Sequence, residues 1–115
     1  MTNQRLPWLP AAHRRSPWEQ ATVLVAGLGS AGFAAADAML EAGAQVIVVD
    51  EDESDATRDK ATLLEHLDAT VRLGSGVTGQ LPAEVDLVIT SPGWRPNQPL
   101  LAQAAAADVP IWGDV

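Results

Sequence analysis

The stretch Val23-Leu-Val-Ala-Gly27-Leu-Gly29-Ser-Ala-Gly32 decides the fold. Four apolar residues rich in branched side chains read as a strand buried on both faces. They run straight into a glycine loop, and the loop runs into an alanine-rich segment with helical character. Each glycine has its own task. Gly27 permits the tight turn leaving the strand, Gly29 lets a ligand phosphate approach the backbone, and Gly32 lets the helix pack close to the sheet. N–H groups at the helix start then face an anion, and the helix dipole adds about 0.3–1 kcal/mol. Eighteen residues after Gly32, a second apolar run, Val46-Ile-Val-Val49, ends in Asp50. Strand, glycine loop, helix, strand and terminal acid make the first β-α-β unit of a nucleotide-binding sheet.

Outward from this unit the alternation continues. Thr22–Ala26 and Gln45–Val49 are predicted strands, joined by a helix over Ser30–Ala42 that Gly43 stops. Ser54 or Asp55 caps a second helix, whose Leu63, Leu64 and Leu67 share a face. Thr70–Leu73 is a short third strand, and a glycine-rich connection runs from Gly74 to Pro82. Asp86–Thr90 is the fourth strand, Pro99–Ala107 a helix with proline in its first turn, and Val109–Trp112 a fifth strand. Strands alternating with helices at this spacing predict an α/β fold: a Rossmann-like, doubly wound sheet of about five parallel strands with helices on both faces. Ligands of such sheets sit beyond the carboxyl ends of the strands, where the loops Gly27–Gly32, Asp50–Ser54 and Ser91–Asn97 converge.

Composition narrows the function. One domain is expected from 115 residues, of which 47% are hydrophobic and 19% charged. No apolar run approaches the roughly 20 residues that span a bilayer, and the amino terminus lacks the apolar core of a secretory signal. Without cysteine there is no disulfide, thiol nucleophile or cysteine zinc site. These features point to a cytoplasmic protein with no membrane partner. Residues 1–18 hold Pro7, Pro10 and Pro17 without apolar periodicity and read as a poorly ordered extension, with Trp8 and Trp18 as occasional contacts; residues 19–115 form the domain. The tail carries Arg5, Arg14 and Arg15 and no acid, so removing its three positive charges from the net −8 leaves −11 on the remainder. So acidic a body repels nucleic acid.

The candidate sites sort by chemistry. Gly27 and Gly32 match the spacing of a phosphate loop, but Phe33 and Ala34 replace its lysine and hydroxyl, which excludes a grip on a γ-phosphate or Mg²⁺. Asp50 opens the acidic run Asp50-Glu51-Asp52-Glu53. At a strand end its carboxylate suits ribose hydroxyls or a base N–H, while the neighbouring acids suit a solvated loop and a helix start. A 2′-phosphate would be repelled there, which disfavours NADP. Thr90-Ser91-Pro92-Gly93-Trp94-Arg95-Pro96 fixes an unusual backbone path beside the ligand. Ser91 lacks the elbow of a hydrolase nucleophile and reads as a hydrogen-bonding group. His13 and His66 have no ligand-spaced companions, so no metal is expected. The chain binds and has no catalytic residue of its own. The residues alone leave open an NAD-binding domain of a dehydrogenase and a non-catalytic nucleotide-sensing module.

Three blocks carry a resemblance: Gly27-Leu-Gly29-Ser-Ala-Gly32, Thr90-Ser91-Pro92-Gly93-Trp94-Arg95-Pro96 and Pro110-Ile-Trp-Gly113-Asp114-Val115. Over roughly residues 20–115 the chain resembles the N-terminal domain of the Mur ligases, nearest the branch that adds D-glutamate to UDP-N-acetylmuramoyl-L-alanine in peptidoglycan biosynthesis. The resemblance implies a parent enzyme of three domains. The N-terminal domain holds the UDP part of the substrate, a central domain binds ATP and Mg²⁺, and a C-terminal domain brings D-glutamate. It further implies that Gly27, Gly29, Ser30, Ala31 and Gly32 line the diphosphate. Asp50, Glu51 and Asp52 would lie by the uracil and ribose, with Ser91, Pro92 and Gly93 closing the other side. Two positions depart from the pattern: Ala31 stands where a Ser or Thr is frequent, and Glu51-Asp52 where a Thr-Arg pair can occur. The sequence ends before the family's second glycine loop, so an excised N-terminal domain unable to form the amide bond is expected.

Overall fold

The computed structural model describes residues 18–74, 81, 85–90, 99–107 and 109–113. Its centre is β1 (Thr22–Ala26), all five residues of which are buried. A strand with no solvent face has room only for apolar side chains on both sides, and Thr-Val-Leu-Val-Ala comes close to supplying them. β2 (Gln45–Asp50) pairs parallel on one flank, Val25 beside Val48, and β4 (Leu87–Thr90) parallel on the other, Val25 beside Ile89. β3 (Thr70–Leu73) extends the sheet beyond β2, and β5 (Ile111–Gly113) beyond β4. The order is β3-β2-β1-β4-β5, every neighbour parallel, so the expected doubly wound sheet is present.

Alternation along the strands divides the core in two. Val23, Val25, Val46, Val48 and Leu87 point to one face, where α1 (Ser30–Glu41) sets Phe33, Ala36, Met39 and Leu40, and α2 (Asp55–His66) sets Ala61 and Leu64. Leu24, Ala26, Ile47, Val49 and Val88 point to the other, under Leu100 and Ala104 of α3 (Pro99–Ala106). Small residues at Ala36 and Ala104, both fully buried, let the helix axes lie close to the sheet. β1 and β3 have the expected bounds, and the other elements differ from expectation by at most two residues at an end, the β4 start falling at Leu87 rather than Asp86.

Two turns needed special chemistry. Gly43 ends α1 at φ +97°, in the left-handed region that a glycine enters without strain. After α2 the same conformation falls to Asp68, at φ +74°. There a short polar side chain replaces the missing glycine.

Trp18, placed with the tail by the sequence reading, belongs to the core. It opens a single 3-10 turn (Trp18–Gln20) and is only 3% exposed. The Trp18 carbonyl accepts from the Ala21 N–H at 2.9 Å, which aims the chain into β1. Its ring meets Trp112 of β5 edge-to-face, centroids 6.0 Å apart at 86°. A proline-rich run with no apolar period carries no local sign of this, because the contact is made across the fold with β5. Trp18→Ala removes a large buried ring, and the unfolding free energy in urea is expected to fall by about 3–5 kcal/mol. A change below about 1 kcal/mol would show that Trp18 is not a core residue.

Candidate functional site

The strand order reverses between β1 and β4, and that is where an open parallel sheet forms its crevice. The registers put the strand ends level: Ala26 lies beside Val49 on one side and Thr90 on the other. Three loops therefore leave the sheet at one height. Of these, Gly27–Gly29 and Glu51–Ser54 are described; Ser91, Pro92 and Gly93, expected to close the site, lie outside the described residues, as do Trp94 and Arg95.

The glycine loop is a short bridge from strand to helix. The Gly27 N–H donates to the Val49 carbonyl at 2.8 Å, prolonging the β1–β2 ladder by one bond. Gly27 then turns at φ +99°, a conformation costly to any residue with a Cβ. Leu28 buries its side chain beneath the loop. Gly29 follows as the N-cap of α1, at φ −80° and ψ −170°. Among the described residues nothing lies within 4 Å of a Cβ built at Gly29, so on their side open space stands over this residue. Gly29 has no side chain with which to cap the helix, and the first turn carries no acid. The first N–H groups of α1 have no acceptor within the helix, and the dipole makes that end partly positive. Loop, open space and a helix start headed by glycine suit the oxygens of a phosphate or diphosphate.

Asp50 ends β2 within reach of this loop, and its carboxylate is occupied. Oδ2 accepts the Leu28 N–H at 2.7 Å and Oδ1 accepts the Asp52 N–H at 2.9 Å. Its main-chain carbonyl accepts the Gly74 N–H at 3.0 Å, joining the end of β3 to the same point. The sequence reading assigns Asp50 to the ligand and does not foresee this contact, which spans 22 residues.

Asp52 has an occupation of its own at the start of α2. Its Oδ2 accepts the Ser54 hydroxyl at 2.6 Å and the Thr57 hydroxyl at 2.5 Å. Each hydroxyl spends its single proton on the carboxylate, so the 3.3 Å Ser54–Thr57 contact adds little. Ser54 is the N-cap, and its oxygen also receives the Thr57 N–H at a long 3.4 Å. The two hydroxyl bonds, Ser54 first, hold the Asp52 carboxyl below its ordinary value of 3.8. Glu51 is exposed, and Glu53 pairs with Arg58 at 3.3 Å in solvent. Among the described residues no group of three or more His, Asp or Glu is placed to hold a metal ion, and no helix is long and apolar enough to cross a membrane.

A cleft of about 500 Å³ opens at the other end of the sheet, lined by the strand starts Thr22, Gln45 and Thr70. Gly43 and Asp68 line it too, just past the carboxyl ends of α1 and α2. Those ends carry the negative pole, so Arg72, the cation among the described lining residues, works against two helix dipoles. The carboxyl edge is the better anion site.

The strand order and the parallel registers together define a Rossmann-like α/β domain. A solved structure of the ligand-free 5-ketofructose reductase of Gluconobacter sp. strain CHM43 shares the fold, with a TM-score of 0.53 at 19% identity over 96% of this chain and 50% of that one. Residues 21–113 match the family model of the Mur ligase MurD-like N-terminal domain. Two relatives are each named UDP-N-acetylmuramoylalanine--D-glutamate ligase. The Streptomyces avermitilis enzyme is 48% identical over 85% of this chain, and that of Thermobifida fusca 50% identical over 81%. The chain therefore belongs to the MurD-like family of Mur ligase N-terminal domains, as the sequence motifs implied. It spans about a fifth of the length of those relatives, 21% and 20%.

The lowered Asp52 carboxyl gives a pH dependence whose sign is fixed. Its pKa is depressed in the folded chain, so its stabilisation is present above the unfolded value near 3.8 and is lost as pH falls through the lower folded value. In Asp52→Asn this part of the acid limb is expected to vanish. Unfolding curves of the variant and parent, collected between about pH 5 and pH 2, should converge at the acid end. Parallel curves over that range would refute the assignment.

Proposed function

We propose that this domain binds the UDP moiety of UDP-N-acetylmuramoyl-L-alanine as the N-terminal part of an ATP-dependent ligase that adds D-glutamate. The observation that carries the reading is the space that the described residues leave open over Gly29, the side-chain-free N-cap of α1, in a chain of the MurD-like family. A diphosphate placed there meets main-chain N–H groups and the positive end of α1. Gly29, Ser30, Ala31 and Gly32 would cradle it, with Gly27 turning the chain beneath. The nucleoside would lie along the Asp50–Asp52 loop, with Ser91, Pro92 and Gly93 on its far side. The sugar and L-alanyl carboxylate then extend away from the loop, towards the parts of the enzyme that hold ATP, Mg²⁺ and D-glutamate.

The chemistry of the reaction agrees with this division. Amide formation needs the carboxylate activated before the amino group attacks, and the family resemblance implies an acyl phosphate. Phe33 and Ala34 stand where a phosphate loop has its lysine and hydroxyl, so the 27–32 loop does not fit ATP and Mg²⁺. The domain's part is to anchor one end of a long substrate. Energy from binding the remote UDP group then serves to position the reacting carboxylate elsewhere. A cytoplasmic setting, where nucleotide-linked precursors and ATP meet, goes with that role.

Gly29 offers a clean test, because its φ and ψ suit any residue and a Cβ there strikes no atom of the described residues. Gly29→Val is expected to leave the unfolding free energy within about 1 kcal/mol of the parent. UDP affinity, read by calorimetry or NMR titration, should fall at least tenfold. Titration of the parent chain with NADH forms the control. Saturable NADH binding without any response to UDP would overturn the reading, and so would UDP affinity that survives the substitution.

A further inference from the structure

Both oxygens of the Asp50 carboxylate are taken by main-chain N–H groups, at 2.7 Å from Leu28 and 2.9 Å from Asp52. We propose that Asp50 is a positioning residue, which sets the shape of the glycine loop and of the loop after β2 rather than serving first as an acceptor for the nucleoside. The nucleotide part of this inference rests on the function proposed above; the loop part does not.

The physical case begins with Leu28. Its N–H lies one residue past the last ladder bond, which Gly27 makes with Val49, and one residue before the N-cap Gly29. It therefore belongs neither to the sheet nor to the helix. With the Leu28 side chain buried, the peptide sits at the inner side of the turn, where an unpaired donor would be costly. A carboxylate is the strongest acceptor a protein can offer it. Gly27 at φ +99° has more freedom than any other residue would have, so the turn would wander unless something fixed the peptide that follows. Asp50 fixes it from β2, a strand itself held in register with β1 from Thr22–Gln45 to Ala26–Val49. Its second oxygen ties down Asp52, and its carbonyl ties down Gly74. One residue thus determines where three chain segments stand around the crevice.

There is an electrostatic consequence. A free carboxylate beside a diphosphate would repel it. Spread over two N–H dipoles, the Asp50 charge is drawn inward, towards the loop backbone, and the outer face of the turn is left to the ligand. This accounts for an acid standing next to an anion site.

Asparagine cannot do the same work. Its amide has one acceptor oxygen for two donors, and its NH₂ group would meet the second N–H head-on. A ligand hydroxyl needs only one acceptor, which an asparagine amide still offers once it turns outward. The substitution therefore weighs on the loop more than on any direct ligand contact.

The test uses the 115-residue chain, labelled with ¹⁵N and ¹³C. Scalar couplings across hydrogen bonds should connect the Leu28 and Asp52 amide nitrogens with the Asp50 carboxyl carbon, without nucleotide and again with saturating UDP. Persistence of the Leu28 coupling in both states is the expected result. Its absence from the free chain, or its loss when UDP binds, would overturn the proposal. Asp50→Asn should then lower UDP affinity about tenfold, the worth of one charge-assisted hydrogen bond to the loop. Unchanged affinity would mean the loop shape is irrelevant to binding, and would also overturn it. If the parent chain shows the Leu28 coupling but ignores UDP, the positioning of the loop stands and the nucleotide assignment fails.

Discussion

The bond from the Leu28 N–H to the Asp50 carboxylate is the constraint on which the proposed site depends. β1 is held at its exit by this contact, at 2.7 Å, and at its entrance by a similar one. There the Thr22 N–H donates to Asp86 Oδ2 at 2.9 Å, while the Asp86 N–H returns a bond to the Thr22 carbonyl at 2.8 Å. Two aspartates, one at the end of β2 and one just before β4, thus close the two ends of the central strand. The reason is general. A ladder leaves the groups just beyond its last rung without partners, and a carboxylate satisfies them more strongly than a neutral acceptor. Because β1 is buried throughout, water is a poor substitute at either end.

From that constraint the site follows by geometry. A parallel sheet carries all its strand ends to one edge, and level registers bring the loops of β1, β2 and β4 to the same height. Helices that return over the sheet point their amino ends towards this edge and their carboxyl ends away from it. The molecule is thereby polarised, with anion-attracting ends above and anion-repelling ends below. This polarity explains why the sizeable cleft by Thr22, Gln45 and Thr70 is less suited to phosphate than the loop surface at the opposite edge. Shape alone would choose the wrong end.

The acidic run after β2 shows how like charges are accommodated around such a site. Asp50 turns inward to backbone donors, Asp52 receives two hydroxyls at the start of α2, and Glu53 meets Arg58 in solvent. Glu51 stands exposed, where water screens its charge. Asp50, Asp52 and Glu53 are thus each drawn towards protein partners.

How much of this could be read in the sequence depends on the range of the interaction. Strands and helices were legible almost to the residue, because each has a local cause: Val-Ile runs for β1 and β2, Ser54 at the start of α2, Gly43 at the end of α1. The glycine loop was legible for the same reason. Trp18 was not, since its burial comes from packing that includes Trp112, at the far end of the chain. Asp50 lies between the two cases. Its place at the end of a strand was evident, and so was its nearness to the glycine loop. What the spacing did not reveal was that the loop's own backbone would compete for the carboxylate, since both N–H group and ligand hydroxyl are donors of suitable chemistry. A strand-end acid in this fold therefore has two competing partners, and the main chain, being already in place at 2.7 Å before any ligand arrives, loses no further freedom in making the bond.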